Sequence, residues 1–442
     1  MASYYFYMSW NAKYVILILF TTVISYVAAI LLEHFKNQKI KKIILAITLI
    51  SCLGVLFIFK YFNFFSEAIS NILKSLSIQL NPVTLKLLLP VGISFYTFQT
   101  LGYVIDVYRN NLKAERHFGY YAAFISFFPQ LVAGPIERTN NLLPQIKNEH
   151  FFDYSQATYG LKLMAWGFFK KLVIADNLAI NVDTVYNDIQ SYKGFALILA
   201  SLFFTIQIYC DFSGYSDIAR GSSKLMGIDL MENFKSPYFS ASIKEFWSRW
   251  HISLSTWFRD YLYIPLGGNR VKKSRHYFNL MITFLISGLW HGANWTFMIW
   301  GGIHGLAQII EDFFNSGKRK ELHGIRWFGK VIFVFTFCSF AWIFFRAQNI
   351  SEIIYIFSHC FDGISQPLTY IRSGVGSKKI LLLVMCILSI YDYISLLNEQ
   401  EAIKLLNITN TYFRWLAYII LGLSIIIFSH KGVATEFVYF QF

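Results

Sequence analysis

Apolar runs long enough to cross a bilayer recur along the chain, at 15–32, 43–59, 85–107, 195–209, 327–345, 380–397 and 412–429. In hydrocarbon such a run must satisfy its own backbone N–H and C=O groups, and the α-helix does this within one segment. Only 14% of the 442 residues are charged, where a soluble domain carries about a quarter. The expected fold is therefore an all-α polytopic membrane protein of roughly ten membrane segments, some of them re-entrant or interfacial. No fixed-period repeat or low-complexity linker interrupts it, so residues 1–442 are expected to form a single membrane-embedded domain.

The formal net charge of +14 raises the question of nucleic acid. The basic residues, however, sit in short loops between apolar runs, as in KNQKIKK (36–42), RNNLKAERH (109–117) and the cluster Arg270, Lys272 and Lys273. The positive-inside rule accounts for such loops and places the N-terminus outside. Neither zinc-type spacings nor an aromatic RNA-binding signature occurs, which leaves the lipid bilayer as the partner and no nucleic acid. The five cysteines are scattered without a CxxC, so no disulfide framework or metal site is expected. The run 15–32 is too long for the core of a cleavable leader.

Some segments do not read as simple crossings. Residues 66–80 suggest a short amphipathic connector. Residues 120–132 are apolar but short, and AGPIERTNNLLPQI (133–146) follows with the proline and glycine of a broken segment. The stretch 160–179 carries Lys170 and Lys171 at its middle, so it should not face lipid. After 195–209 the polar CDFSGYSDIARGSSKLMGIDLMENF is expected to leave the membrane.

Ionisable residues at membrane depth cost several kcal/mol (about 2.5–3.5 at a helix centre) and mark functional sites. Two histidines in 236–304 stand out. Across SPYFSASIKEFWSRWHISLSTWFRDYLYIPLGGNR, Ile243, Trp247, Trp250, Leu254, Trp257 and Tyr261 recur at three- and four-residue steps. Lys244, Ser248, His251, Ser255 and Arg259 fall on the opposite face. This predicts an interfacial or re-entrant helix, its tryptophans at headgroup level, presenting His251 to a water-accessible cavity. His291 lies in apolar surroundings between Gly288 and Gly292, which allow close approach of backbone or substrate. On an unbroken helix His304 would stand roughly 140° round and about 20 Å along from His291. It reads as structural unless the glycines break the helix.

Walker A, GxGxxG, HExxH and GxSxG patterns are all absent. Burial keeps a histidine neutral and able to accept a proton, which suits a general base acting on an alcohol. Asp211, Asp217 and Asp260 are candidates to orient an imidazole or bind a polar substrate, and equally read as loop or ion-pair carboxylates. Ser213, Ser253 and Ser255 rank lower as nucleophiles, because helical hydroxyls usually bond their own backbone.

Taken together, AGPIERTNNLLPQI (133–146), GFFKKLVIADNLA (167–179), YCDFSGYSDIARGSSKLMGI (209–228), residues 233–270, SGLWHGANWTFMIWGGIHG (287–305) and the terminal VYFQF resemble the membrane-bound O-acyltransferase (MBOAT) family. The likeness is narrower to its bacterial branch of alginate O-acetyltransferase-like proteins and covers most of 90–305. It implies an MBOAT-type helical bundle with cavities from both leaflets meeting at a thin centre. It also implies catalysis by His291, of the WHG motif, assisted by His251, of RWHISLS. Trp290, Trp250 and Asn233 would line the tunnel, with Asp211 as a further substrate-binding position. The implied donor is cytoplasmic acetyl-CoA, with no permanently bound cofactor and no metal. The implied acceptor is a hydroxyl of a cell-surface or exported polysaccharide, reached directly or through an extracytoplasmic partner transferase, at the bacterial cytoplasmic membrane.

Family members ordinarily carry another apolar segment ahead of the stretch matching SYYFYMSW, a departure that bears on the topology. Transfer of D-alanine to teichoic acid is the alternative within the class. A transporter would call for paired inverted repeats, which are not seen. A haem protein would call for two histidines facing each other in the bilayer.

Overall fold

The computed structural model describes residues 1–314, 324–363, 378–398, 410–429 and 437–438. Among them every regular element is helical, as expected. Among the described residues five helices are long and apolar enough to cross a membrane: Ala2–His34, Gln38–Ser75, Phe195–Leu225, Gly324–Arg346 and Thr411–Phe428. Of the other expected segments, 380–397 lies within the helix Lys378–Asn398, whereas 85–107, 120–132 and 160–179 are shortened or interrupted helices. The described residues group into two compact units, 1–154 with 223–231 and 155–222 with 232–442.

The first unit is built from α1 (Ala2–His34), α2 (Gln38–Ser75), α3 (Ile93–Tyr108), α4 (Phe118–Ser126) and α5 (Thr139–Lys147). The stretch 66–80 is not a separate connector, because α2 runs on to Ser75 through a wide turn at Phe57–Tyr61. The run 85–107 becomes helical only at Ile93, after Pro90 and a left-handed Gly92 (φ 73°). Proline and a left-handed residue both oppose helix, and a hydropathy reading is blind to that. Some buried polar groups in this unit are paired. Ser25 Oγ meets Tyr121 Oη at 2.6 Å, and Gln99 donates to the Phe124 carbonyl at 2.8 Å. The proline-containing α5 region clamps residues 229–231: Glu137 accepts from the Met231 N–H, and Gln145 accepts from the Asp229 N–H.

In the second unit α6 (Tyr154–Phe168) continues through a π-helical turn, Phe169–Ala175, into α7 (Asp176–Tyr186). It packs on α8 (Phe195–Leu225). The chain does not leave the helix after 209: α8 runs unbroken for 31 residues, about 46 Å. Its polar residues are absorbed by ion pairs. Lys170 bridges Asp217 (2.7 Å) and Ser213 (2.9 Å), and Lys171 bridges Asp176 (2.8 Å) and Asp211 (2.5 Å). The expectation that these lysines avoid lipid holds, since Lys170 is buried.

Glycine makes this approach possible. A Cβ on Gly214 would lie 2.8 Å from the Gly167 carbonyl oxygen, and one on Gly221 would lie 2.5 Å from that of Gly160. The two pairs recur two turns apart on each helix, so one seam of small residues joins the antiparallel backbones.

The remaining elements are α9 (Ile243–Arg249), α10 (Ile252–Phe258), α11 (Lys273–His291), α12 (Trp295–Phe314), α13 (Gly324–Arg346), α14 (Ile350–His359), α15 (Lys378–Asn398) and α16 (Thr411–Phe428). Beyond Val438 the terminal VYFQF lies outside the described residues.

Gly214→Leu should destabilise the detergent-solubilised protein by at least about 2 kcal/mol, because a backbone oxygen cannot move aside as a side chain can. Gly54→Leu, where no atom lies within 4 Å of a built Cβ, should stay close to wild type. Thermal unfolding of the two variants side by side checks this.

Candidate active site

The helix expected across 243–261 is broken. Residues 243–249 and 252–258 form two seven-residue helices, and His251 between them adopts a left-handed conformation (φ 42°, ψ 55°). For a non-glycine residue this costs about 1–2 kcal/mol. Asn233 provides the compensation. Its carbonyl accepts the Ile252 N–H at 3.0 Å, and its side-chain Oδ1 accepts the Ser253 N–H at 3.0 Å and the Ser253 hydroxyl at 2.9 Å. Asn233 therefore caps the start of α10 from a distance, satisfying donors that a helix start leaves open.

The break redirects His251. It does not share the polar stripe's cavity: the residue is fully buried, its ring edge-on to Phe212 with centroids 4.5 Å apart. Its Nδ1 lies 3.2 Å from Asn233 Oδ1. That oxygen already accepts from a backbone N–H and can only accept, so Nδ1 carries the proton and Nε2 the lone pair. Burial holds the imidazole down at about 3. The tryptophans of the stripe likewise turn into the protein. Trp250 and Trp257 are buried, with Trp250 packed on Trp342 at 4.9 Å.

His291 is the last residue of α11, and Gly292 leaves the helix in extended conformation (φ −161°). The glycines break the helix here, so α12 folds back and the unbroken-helix geometry for His304 does not apply. Backbones touch along this hairpin. A Cβ on Gly288 would lie 2.3 Å from the Phe297 carbonyl oxygen, and one on Gly301 would lie 2.3 Å from that of Phe284. His291 is buried against Trp290 (5.0 Å), Trp300 (5.1 Å) and Phe345 (5.3 Å). The Trp290 ring also lies 6.2 Å from His251, so one indole touches both imidazoles.

The structure thus gathers His251, His291, Trp290, Trp250 and Asn233 into one aromatic-walled cluster. Asp211 is adjacent in sequence to Phe212, but its carboxylate is engaged elsewhere: Oδ1 by Lys171 and Oδ2 by the Val438 N–H at 2.8 Å. Asp217 pairs with Lys170 and Asp260 with Arg259. The partner orienting His251 is an amide, not a carboxylate. Sequence reading missed Trp300, Trp342 and Phe345 as walls. Only Trp300 had a local signal, one helical turn from His304.

A cavity of about 980 Å³ lies beside the cluster, walled by α9 to α12. Lys244, Ser248, Ser255 and Arg259 of the polar stripe line it, with Lys273 and Trp247. Neither histidine is among its lining residues. Ser287 is, one helical turn before His291.

The family description "MBOAT, membrane-bound O-acyltransferase family" matches residues 111–347. The chain is 38% identical over 380 residues to the peptidoglycan O-acetyltransferase of Helicobacter pylori, covering 80% of this chain and 71% of that one. It is 42% identical over 352 residues to the protein named probable alginate O-acetylase AlgI of Azotobacter vinelandii, covering 79% and 69%. A more distant relative is the teichoic acid D-alanyltransferase of Bacillus subtilis, 31% identical over 265 residues and covering 56% and 65%.

The buried, neutral state of His251 makes a pH prediction. The folded imidazole titrates near 3 and the unfolded one near 6.5. Between those values the unfolded chain binds more protons, so stability present above about 6.5 is lost as pH falls. His251→Gln should flatten that slope, as read by thermal unfolding between pH 7 and 4.

Proposed function

The chain belongs to the membrane-bound O-acyltransferase family, and from that premise we propose that it transfers acetyl groups from cytoplasmic acetyl-CoA to hydroxyls of a cell-surface or exported polysaccharide. It would act in the bacterial cytoplasmic membrane, directly or through an extracytoplasmic partner transferase. The observation that carries this reading is the pair of buried histidines packed against one indole, Trp290, beside a cavity whose wall reaches within one turn of His291.

The chemistry asks for a base in a place that excludes water. His291 takes the proton of the acceptor hydroxyl as its oxygen attacks the thioester carbonyl. The tetrahedral intermediate then collapses, the carbon–sulfur bond breaks, and the sulfur leaves with the proton from His291. As the last residue of α11, His291 stands near the open carbonyls of a helix C-terminus. There an imidazolium gains about 0.3–1 kcal/mol. His251, with Nδ1 donating to Asn233, offers Nε2 as an acceptor to align the hydroxyl. Trp290 holds both rings in place, while Trp250 backs the His251 segment.

On the donor side, Lys244, Arg259 and Lys273 line the cavity and suit the phosphates of coenzyme A, leaving the pantetheine arm to run toward Ser287. Asp211, committed to Lys171 and Val438, serves this reading as a support of the surrounding helix rather than as a substrate contact.

His291→Ala should cut acetylation of the surface glycan by about 10²- to 10⁴-fold while the protein inserts at normal abundance. His251→Ala should impair it as well, by a smaller factor. Mass spectrometry of surface glycans reads both, and retained acetylation in His291→Ala would remove the general-base role. Supplying labelled acetyl-CoA and labelled D-alanyl carrier in parallel separates acetyl from D-alanyl transfer.

A further inference from the structure

His304 plays no part in the chemistry just described, yet it is fully buried beside the site. Its Nδ1 accepts the indole N–H of Trp247 at 3.3 Å. That fixes the tautomer: Nδ1 holds the lone pair and Nε2 the proton. The ring lies parallel to Phe246 (6.1 Å, 8°) and edge-on to Phe337 (5.4 Å). It also meets Trp300 at 5.0 Å, the same indole that packs on His291 at 5.1 Å from the other histidine's helix. Trp300 thus stands in contact with both.

Trp247 has a double position. It lines the 980 Å³ cavity, and its ring lies 5.7 Å from Trp300. Trp247 and Trp300 therefore form a chain of two indoles leading from the cavity wall to His291. The Trp247 N–H has a partner where the buried Trp300 N–H beside it has none among the described residues, and losing such a partner costs about 1–3 kcal/mol. Without His304 the Trp247 ring would turn toward a polar neighbour, and the cavity side offers several. A second attachment fixes the same helix. Glu311, two turns beyond His304 on α12, accepts the backbone N–H of Ile243 at 2.6 Å and of Lys244 at 3.3 Å. With the first turn of α9 already held, the Trp247 rotamer is the freedom that remains for His304 to remove.

We propose that His304 is a positioning residue that pins the Trp247 indole as the partition between the donor cavity and His291, admitting the donor's reactive end while keeping water from the base. This rests on the assignment of His291 as the base. It predicts a specific failure when the pin is lost. Water replaces the acceptor hydroxyl, so the thioester and water give acetate and the free thiol of coenzyme A.

The test uses the full chain in detergent or nanodiscs with acetyl-CoA, comparing thiol release without acceptor against transfer with it. His304→Phe keeps the ring but cannot accept the indole N–H. It should raise the ratio of hydrolysis to transfer at least fivefold, and His304→Gln, which can accept, should return it toward wild type. In a double-mutant cycle His304→Phe should add little to Trp247→Phe, where the N–H is already gone. Ultraviolet resonance Raman reads the indole hydrogen bond independently of activity: a band shift in His304→Phe, absent in His304→Gln, is expected. An unchanged ratio in a well-folded His304→Phe, or additive effects in the double mutant, would overturn the proposal. If His291→Ala stayed active while the Raman shift and the non-additivity held, the base assignment would fall and the His304–Trp247 pairing would stand.

Discussion

The hairpin of α11 and α12 depends on backbone touching backbone. With Gly288 against the Phe297 carbonyl and Gly301 against that of Phe284, no side chain keeps the two helices apart. This proximity ends α11 at His291 and sends the chain back along itself, so Trp300 faces His291 and His304 follows one turn later. A wider hairpin would leave the histidine inside a helix, surrounded by its own neighbours. The placing of His291 at a helix end is thus a result of missing Cβ atoms several residues away.

A second constraint acts through one amide. Asn233 offers an oxygen to the backbone and hydroxyl of Ser253 and to the ring of His251. Satisfying the start of α10 from outside lets the chain pass through a left-handed residue that no glycine occupies. The same oxygen fixes which nitrogen of His251 bears the proton. Local strain of the kind found at His251 persists only when its surroundings over-determine it, and Asn233 is that surrounding.

Much of this was legible in the residue order. The apolar runs gave the helical membrane class, the paired lysines announced a segment shielded from lipid, and the two histidines singled out by motif both pack on Trp290. The apolar stripe from Ile243 to Tyr261 was read as an interfacial helix face, and its members Ile243, Trp250, Leu254 and Trp257 are buried inside the protein. What periodicity could not show was the interruption at His251, because neither glycine nor proline marks it and its cause lies 18 residues upstream. For the same reason the wheel assigned His251 to the face that lines the cavity. Hydropathy likewise ended α8 at its first aspartate, where lysines on a neighbouring helix in fact neutralise the carboxylates. Polar residues read as solvent-facing become core residues once their counter-charges arrive from elsewhere in the chain.

That dependence has a temporal side. Asp211 sits in a helix long enough to enter the membrane early in synthesis, yet one of its oxygens is satisfied by a main-chain group 227 residues downstream. Until the ribosome has delivered that stretch, Lys171 holds the carboxylate by its other oxygen without that main-chain donor. Insertion of α8 and completion of its internal bracing are thus separate events, the second depending on chain far downstream.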